Sequence, residues 1–400
     1  MSDEGATVRS GARFDVIVLG LGGMGSATAY HLAKQGTRTL GLDAFERGHH
    51  NGSSHGKSRG IREAYRDSPR YVPLIQRAYA LWRELEAETG QHLLTITGGV
   101  NLSLPTDEGV ATQTLVAARY GLAVEELMPD EVMARWPGFR VPDDFIGIYD
   151  PHTGFLLPEP CVAAHLHLAS KYGAELHHGE PARCWSPDGV GVRVETDTAT
   201  YLANALVVTA GPWAGEVLAD LRLPLQPWRM YNVYFAPTRP ELFGQDRFPV
   251  YGIRGPEGTY YGVPMLPGDG IKIGRGEVGE VCTPETARRT IRPDEIEWMR
   301  GVLDKYMPGA TGDVLDATTC IYTMTPDKHF IIDRHPEHAN VVYAAGFSGH
   351  GFKFTSVIGE VMADLAIDGT TPHPIDFLSA SRFNSVVVGG DKYLRPAVNR

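Results

Sequence analysis

The chain has 400 residues, 42% hydrophobic and 21% charged, with 46 Gly and 28 Pro, enough to bury a sizeable core in one large or two ordinary domains. Its 37 Lys+Arg against 48 Asp+Glu give a net charge of −11 with no basic run, which argues against nucleic acid and anionic membrane as partners. No apolar run reaches the roughly 18 residues of a membrane span, the opening MSDEGATVRSGAR lacks the regions of a signal peptide, and the expected compartment is the cytoplasm.

The first strand is expected at Phe14 to Leu19 (FDVIVL), whose β-branched and apolar run suits a parallel strand buried on both faces. Gly20-Leu21-Gly22-Gly23-Met24-Gly25 follows, then an apolar-periodic segment ended by Gly36. Thr37 to Leu42 reads as a second strand with Asp43 at its end. This is a βαβ unit with the acidic residue about 20 positions past the glycine turn, the pattern of dinucleotide binding. Gly20 permits the turn, Gly22 lets backbone N–H groups approach a pyrophosphate, and Gly25 allows close helix–strand packing. Asp43 suits an adenosine ribose and would repel the phosphate of NADP; NAD and FAD both remain open at this point.

Further along, Leu74, Ala78, Leu81 and Leu85 mark an amphipathic helix stopping near Gly90. Segments 91–155 and 226–324 are rich in alternating strand-like stretches, with one clear helix around Ile296, Met299, Leu303 and Tyr306. A helix is expected at Val162 to Tyr172, strands at Val192 to Thr196 and at Ala205 to Thr209 running into Gly211, and a strand at Val341 to Ala345 running into Gly346 before a helix over 355–367. The expected fold is therefore α/β: a Rossmann-like nucleotide domain from 14–90, 156–225 and 325–385, interleaved with an α+β catalytic domain on a large mixed sheet from 91–155 and 226–324. Residues 1–13 and 386–400 are read as tails. Cys161, Cys184, Cys282 and Cys320 are far apart with no CxxC pair, so neither a disulfide framework nor a zinc site is expected. His49, His50, His335 and His338 lack carboxylate or cysteine context and are read as solvated loop residues, with no metal site.

The stretch Asn51 to Arg62 (NGSSHGKSRGIR), together with YVPL at 71–74, RWPG at 135–138, YYG at 260–262, GIKIG at 270–274, CIYT at 320–323, HFIID at 329–333 and GFSGHGFKF at 346–354, resembles the monomeric sarcosine oxidase and N-methyltryptophan oxidase family. The resemblance runs in order from about Phe14 to Phe383. It implies a Rossmann-like FAD-binding domain and a flavin oxidase of secondary amino acids: hydride transfer to FAD, reoxidation by molecular oxygen to hydrogen peroxide, and hydrolysis of the imine to aldehyde and amine, in a chain that is often monomeric. Cys320 matches the cysteine joined by a thioether to the flavin. Lys272 matches the lysine credited with activating oxygen, and Arg59 a basic residue near the flavin. Arg62 and Lys353 match the pair that clamps the substrate carboxylate. Tyr261 and Tyr322 match tyrosines near the substrate. Ser53, His55, Gly211, Gly349 and His350 are assigned to the cofactor, with His350 either polarising the flavin ring or hydrogen-bonding backbone.

The pattern also breaks. Gly276 and Gly252 stand where sarcosine oxidases carry a histidine and a methionine, and Glu63 where they carry a histidine. Two large side chains replaced by hydrogen imply an enlarged apolar pocket and a substrate bulkier than sarcosine, unless the loop Pro267 to Asp269 collapses into the space. Glu63 is expected to disfavour a second acidic group on the substrate. The competing readings are a nicotinamide dehydrogenase, which has no use for Cys320 or the later glycine turns, a flavin dehydrogenase passing electrons to a protein partner, and an oxidase of another amine such as a cyclic or sugar-modified amino acid.

Overall fold

The computed structural model describes residues 9–383; the expected tail at 386–400 and the first eight residues of the N-terminal one lie outside them. Residues 9–13 are not tail. The first strand is Arg9–Leu19, extended upstream because its partner Ala199–Val208 is equally long and pairs with it from Arg9↔Ala199 to Leu19↔Val208, with a register shift between Ser10 and Arg13.

Five parallel strands form the centre of one sheet, in the spatial order Val341–Ala345, Ala199–Val208, Arg9–Leu19, Thr39–Leu42 and Glu175–His177. Alternation along the first strand divides its side chains between two cores. Val16 and Val18 join the one that includes the helices Gly23–Lys34, Val72–Thr89, Pro158–Lys171 and Thr355–Ile367, and Ile17 and Leu19 join the other. The chain leaves four of these strands through Gly20, Asp43, Thr209 and Gly346, all at the carboxyl edge. A parallel sheet of this kind offers its ligand crevice there.

The second sheet is mixed. Val250–Gly255 runs parallel to Gly99–Ser103, while Gln226–Phe235 pairs antiparallel with Ile271–Gly276 on one side and Val314–Met324 on the other. The helix Pro293–Tyr306 buries Met299, Val302, Leu303 and Tyr306 in a core shared with Ile271 and Ile273. Period two then turns Lys272 to the opposite face. A short three-stranded sheet, Arg59–Ile61 with Gly154–Leu156 and Leu94–Ile96, follows the Asn51 to Ser58 loop.

Two helices lie where only strand-like stretches are expected, Glu108–Tyr120 and Pro129–Arg135. The first buries only Gln113 and Val116, too narrow a stripe to show a helical period, although Asp107 caps its start and left-handed Gly121 ends it. No helix among the described residues is long and apolar enough to cross a membrane.

His31 and His165 sit inside the helical layer, and burial lowers them to about 4 and about 3. Both are neutral when folded, whereas an unfolded histidine titrates near 6.5. The stability they confer is present above that value and is lost as pH falls through their depressed pKa values, on the order of 3–5 kcal/mol for each. Urea midpoints should therefore fall steeply from pH 6.5 to pH 4, and the His165→Phe variant should show a shallower decline. A flat wild-type profile over that window would contradict it.

Candidate active site

A cavity of about 960 Å³ starts at the carboxyl edge of the parallel sheet and ends against the mixed sheet. At its first end Gly20 has φ +89°, and a Cβ there would lie 2.6 Å from the Thr209 carbonyl; one on Gly25 would lie 1.7 Å from the Gly20 carbonyl. The helix that follows has Gly22 as its N-cap, no side-chain cap and no acidic residue in its first turn, so its positive end faces the cavity. Asp43 accepts the Leu21 and Phe45 amides at 2.7 and 2.9 Å, one on each oxygen, which leaves lone pairs on both for hydroxyl groups. Gly211 and Gly346 reach the same cavity, so the strand-to-glycine junctions do converge.

Midway lies the loop from Asn51. Ser53 Oγ donates to the Ile321 carbonyl and His55 Nε2 to the Thr319 carbonyl at 2.7 Å, tying the loop to the strand that carries Cys320. Burial lowers His55 to about 4, so its ring is neutral. Arg59 donates to four main-chain carbonyls: Ser53 at 3.1 Å, Gly56 at 3.4 Å, Ser58 at 2.9 Å, and His55. Lys272 is 2% exposed, and its Nζ donates to the carbonyls of Gly56 and Ser58 at 3.2 and 2.7 Å and to Ser58 Oγ at 3.3 Å. Burial, then the Arg59 charge, hold its pKa well below the lysine range. Cys320 is 3% exposed and does not itself line the cavity. Burial pushes its thiol up, against the pull of Arg59 and Lys272. Tyr322, two residues on and therefore on the same strand face, does line it.

At the far end Arg62 and Lys353 lie 5.3 and 5.6 Å from the Tyr65 ring centre. Lys353, 6% exposed, is no surface lysine; its Nζ donates to the His350 carbonyl at 2.9 Å. Burial first, then Arg62, push its pKa far down. Arg62 pairs with Asp67 at 3.3 Å. Among the described residues none of Arg59, Lys272 and Lys353 forms an ion pair with a carboxylate. His350 Nε2 donates to the Lys328 carbonyl at 2.9 Å, so Nδ1 accepts from Tyr65 at 2.5 Å. Both ring nitrogens are thus held by protein, and burial lowers the ring to about 4. The Tyr261 and Tyr322 hydroxyls are 2.7 Å apart, and left-handed Gly349 is required beside them because a Cβ would lie 2.3 Å from the Tyr322 ring. Of the non-glycine residues with positive φ, Glu277, Lys328 and Ser348 all line this cavity, in keeping with strain collecting at functional sites.

Three expectations are corrected here. Glu63 lies outside the cavity, bound to His152 at 2.9 Å and Gln76 at 2.8 Å, and cannot repel a substrate group. The space beside Gly252 and Gly276 is not purely apolar: Asn101, Thr259, Glu277 and Arg66 line the cavity together with Val100, Tyr251 and Tyr261, and Asn101 Oδ1 would stand 2.4 Å from a Cβ on Gly252, so that side is filled rather than open. His335 is buried and paired with Asp220 at 2.6 Å rather than solvated. The 267–269 loop stays clear of the cavity, held by Lys57 on Asp269 at 2.8 Å. No group that could hold a metal occurs among the described residues.

Residues 15–365 match the model of the DAO family, FAD dependent oxidoreductase. The chain belongs to this family. It is 43% identical to a monomeric sarcosine oxidase of Streptomyces avermitilis, covering 92% of this chain and 97% of that one, and 34% identical to an N-methyl-L-tryptophan oxidase of Salmonella newport, covering 93% and 100%. Among solved structures, NikD, an unusual amino acid oxidase essential for nikkomycin biosynthesis, superposes with a TM-score of 0.82 at 26% identity, covering 92% of this chain and 98% of that one.

The residues present fit FAD. The first end has the close-approach glycines that a pyrophosphate needs and a helix whose N-cap, Gly22, has no side chain, with the Gly23 amide held by Ser54 Oγ at 2.8 Å; Thr355 Oγ1, a buried hydroxyl with no partner, stands 3.1 Å from where a Gly23 Cβ would be. Sequence reasoning missed Thr355, as it missed Thr209, Ser54, Asp67 and Glu159. Of these only Thr355 carried a signal, at the start of a helix just after a glycine turn. Glu159 takes the Gly56 and Lys57 amides at 2.6 and 3.2 Å from 102 or more residues away, which no local pattern announces.

Gly25→Ala should displace the loop, because 1.7 Å from a carbonyl oxygen is impossible for a Cβ. Purified variant should lack visible flavin absorbance while keeping its far-ultraviolet dichroism; a fully yellow variant would show that Gly25 does not set the approach to the cofactor.

Proposed function

We propose that the protein is a flavin-dependent oxidase of secondary, N-methyl amino acids with molecular oxygen as acceptor. The observation that carries this reading is one cavity that starts at a dinucleotide loop and ends at Lys272, Arg62 and Lys353, cations placed where anionic groups of cofactor and substrate are needed. Bound FAD would supply the hydride acceptor and pass the electrons to oxygen, giving hydrogen peroxide. Gly20, Gly22, Gly25, Asp43, Ser53, His55, Gly211, Gly349 and His350 would hold or shape its site. Arg62 and Lys353 receive the substrate carboxylate through charge-assisted hydrogen bonds, Arg62 exchanging Asp67 for the ligand. Fixing that carboxylate orients the Cα–H and the amine, which is where such a site gains most of its rate. Tyr261 and Tyr322, already joined, offer hydroxyls to the substrate. Lys272 keeps a positive charge or a proton donor beside the reacting centre, screened from bulk water by burial. The resulting imine hydrolyses to aldehyde and amine. Gly276, whose missing side chain would meet only Thr259, at 3.4 Å, favours a substrate larger than sarcosine.

The same reading assigns Cys320 a thioether to the flavin 8α-methyl. Its support is the match of CIYT and the position of Cys320 on the Tyr322 face, near Arg59 and Lys272. Acid-precipitated wild type should stay yellow and Cys320→Ser should lose its flavin to the supernatant; a colourless wild-type pellet would refute the bond. Lys272→Met should slow reoxidation of the reduced enzyme in air by about 10²–10³. An unchanged rate in stopped flow would favour transfer of electrons to a protein partner instead.

A further inference from the structure

The end of the cavity beside Gly252 and Gly276 is lined by opposite charges, and they are not equally engaged. Glu277 is occupied, by Arg254 at 2.6 Å and by the Thr259 hydroxyl at 2.9 Å. Asp67 is paired with Arg62, which on the oxidase reading leaves it for the first carboxylate. Arg66 differs. Its side chain is only 17% exposed, its nearest carboxylate is Glu277 at 4.0 Å, and among the described residues its guanidinium makes no hydrogen bond. A guanidinium has five N–H donors in a planar fork, and none of the Arg66 nitrogens is among the fully buried unpartnered atoms, so its donors are open to the cavity that it lines.

A second observation points the same way. Behind Gly252 lies a space of about 10 Å³, room for little more than a water, bounded by Arg66, Asn101, Gly252, Gln113, Asp107 and Arg254. Arg66, Asn101 and Gly252 border both this space and the main cavity. Gln113 is 2% exposed with its Nε2 unpaired, and Arg254 Nε is also buried without a partner. Asp107, the carboxylate on this wall, is engaged by Arg254 at 3.2 Å and by the Gly109 amide at 2.9 Å. The unpartnered buried polar atoms on this wall are therefore donors, and Arg66 adds a cation that borders both spaces.

We propose that Arg66 determines specificity by binding a second carboxylate at the distal end of the substrate, so that the substrate class is an N-alkylated amino acid with an acidic side chain or N-substituent. This rests on the oxidase reading for the position of the first carboxylate, at Arg62 and Lys353. The second carboxylate lies at the end of the cavity bordered by Gly276, Thr259 and Arg66, where a histidine at 276 would stand. Glu63 does not line the cavity and is engaged by His152 and Gln76.

Two measurements on the holoenzyme test it. In the first, kcat/KM is compared for N-methyl-L-glutamate, N-methyl-L-glutamine, N-methyl-L-leucine and N-methyl-L-lysine. The glutamate should lead, and the ratio of glutamate to leucine should fall about ten- to hundredfold in Arg66→Gln, the usual effect of one lost charge-assisted contact, and recover in part in Arg66→Lys. A wild type that prefers the lysine derivative or does not separate glutamate from glutamine, or a ratio unmoved in Arg66→Gln, overturns the proposal. The second needs no turnover: the flavin spectrum is titrated with succinate, glutarate and adipate against butyrate. At least one dicarboxylate should bind about tenfold more tightly than butyrate and lose that advantage in Arg66→Gln. If no amino acid is oxidised but this advantage holds, the oxidase reading fails and the second carboxylate site stands; if amino acids are oxidised and no dicarboxylate has an advantage, the reverse follows.

Discussion

Lys272 and Lys353 have their amine nitrogens removed from water, and with the half-buried Arg59 they satisfy their hydrogen bonds on main-chain carbonyls and a serine hydroxyl instead of on carboxylates. Carbonyl dipoles orient a cation without neutralising it. Burying charge in this way costs several kcal/mol per ion unless an opposite charge arrives, and the lowered pKa values of both lysines express that cost. The cavity is in this sense built for anions that the chain does not contain. FAD and the substrate carboxylate are the anions that membership of the FAD-dependent oxidoreductase family and the proposed activity bring.

The two sheets make that arrangement possible by dividing the work. The parallel sheet supplies the glycine loop, Asp43 and Thr209 at its carboxyl edge, and the mixed sheet presents Lys272 from a strand whose flanking Ile271 and Ile273 are locked in the opposite core. Between them the Asn51 to Ser58 loop wraps Arg59. One guanidinium holding four carbonyls of a single loop acts as its internal scaffold, and the same carbonyls of Gly56 and Ser58 then serve Lys272. Tyr234 adds a third support, donating to the Gly56 carbonyl at 2.7 Å. The loop and the lysine are consequently one unit, although they lie 214 or more residues apart.

Much of this was legible in the sequence because its signals are local. FDVIVL followed by GLGGMG and a later Asp can hardly be anything but a dinucleotide βαβ, and Lys272 between apolar neighbours in a strand demands a partner. What stayed hidden depends on distant chain segments. Strand Arg9–Leu19 is longer than its apolar run because Ala199–Val208 is there to pair with it. Glu63 is expected at the substrate because it stands where sarcosine oxidases carry a histidine, yet it lies past the end of the strand Arg59–Ile61 and turns to His152, which is far away in sequence. The space left by Gly252 and Gly276 was legible as space but not as polar, since Asn101, Thr259, Glu277 and Arg66 come from four separate stretches of chain.

The most direct measurement is the proton balance of carboxylate binding, read by calorimetry on the holoenzyme with butyrate in buffers of different ionisation enthalpy. Lys353 has its pKa pushed far below 10.5 by burial and then by Arg62, and an arriving carboxylate must raise it. Between the depressed value and the ordinary one, binding should therefore take up protons, and Lys353→Met should abolish the uptake. Binding without proton exchange, or with proton release, would show that the cations at this site are already compensated and would contradict the account.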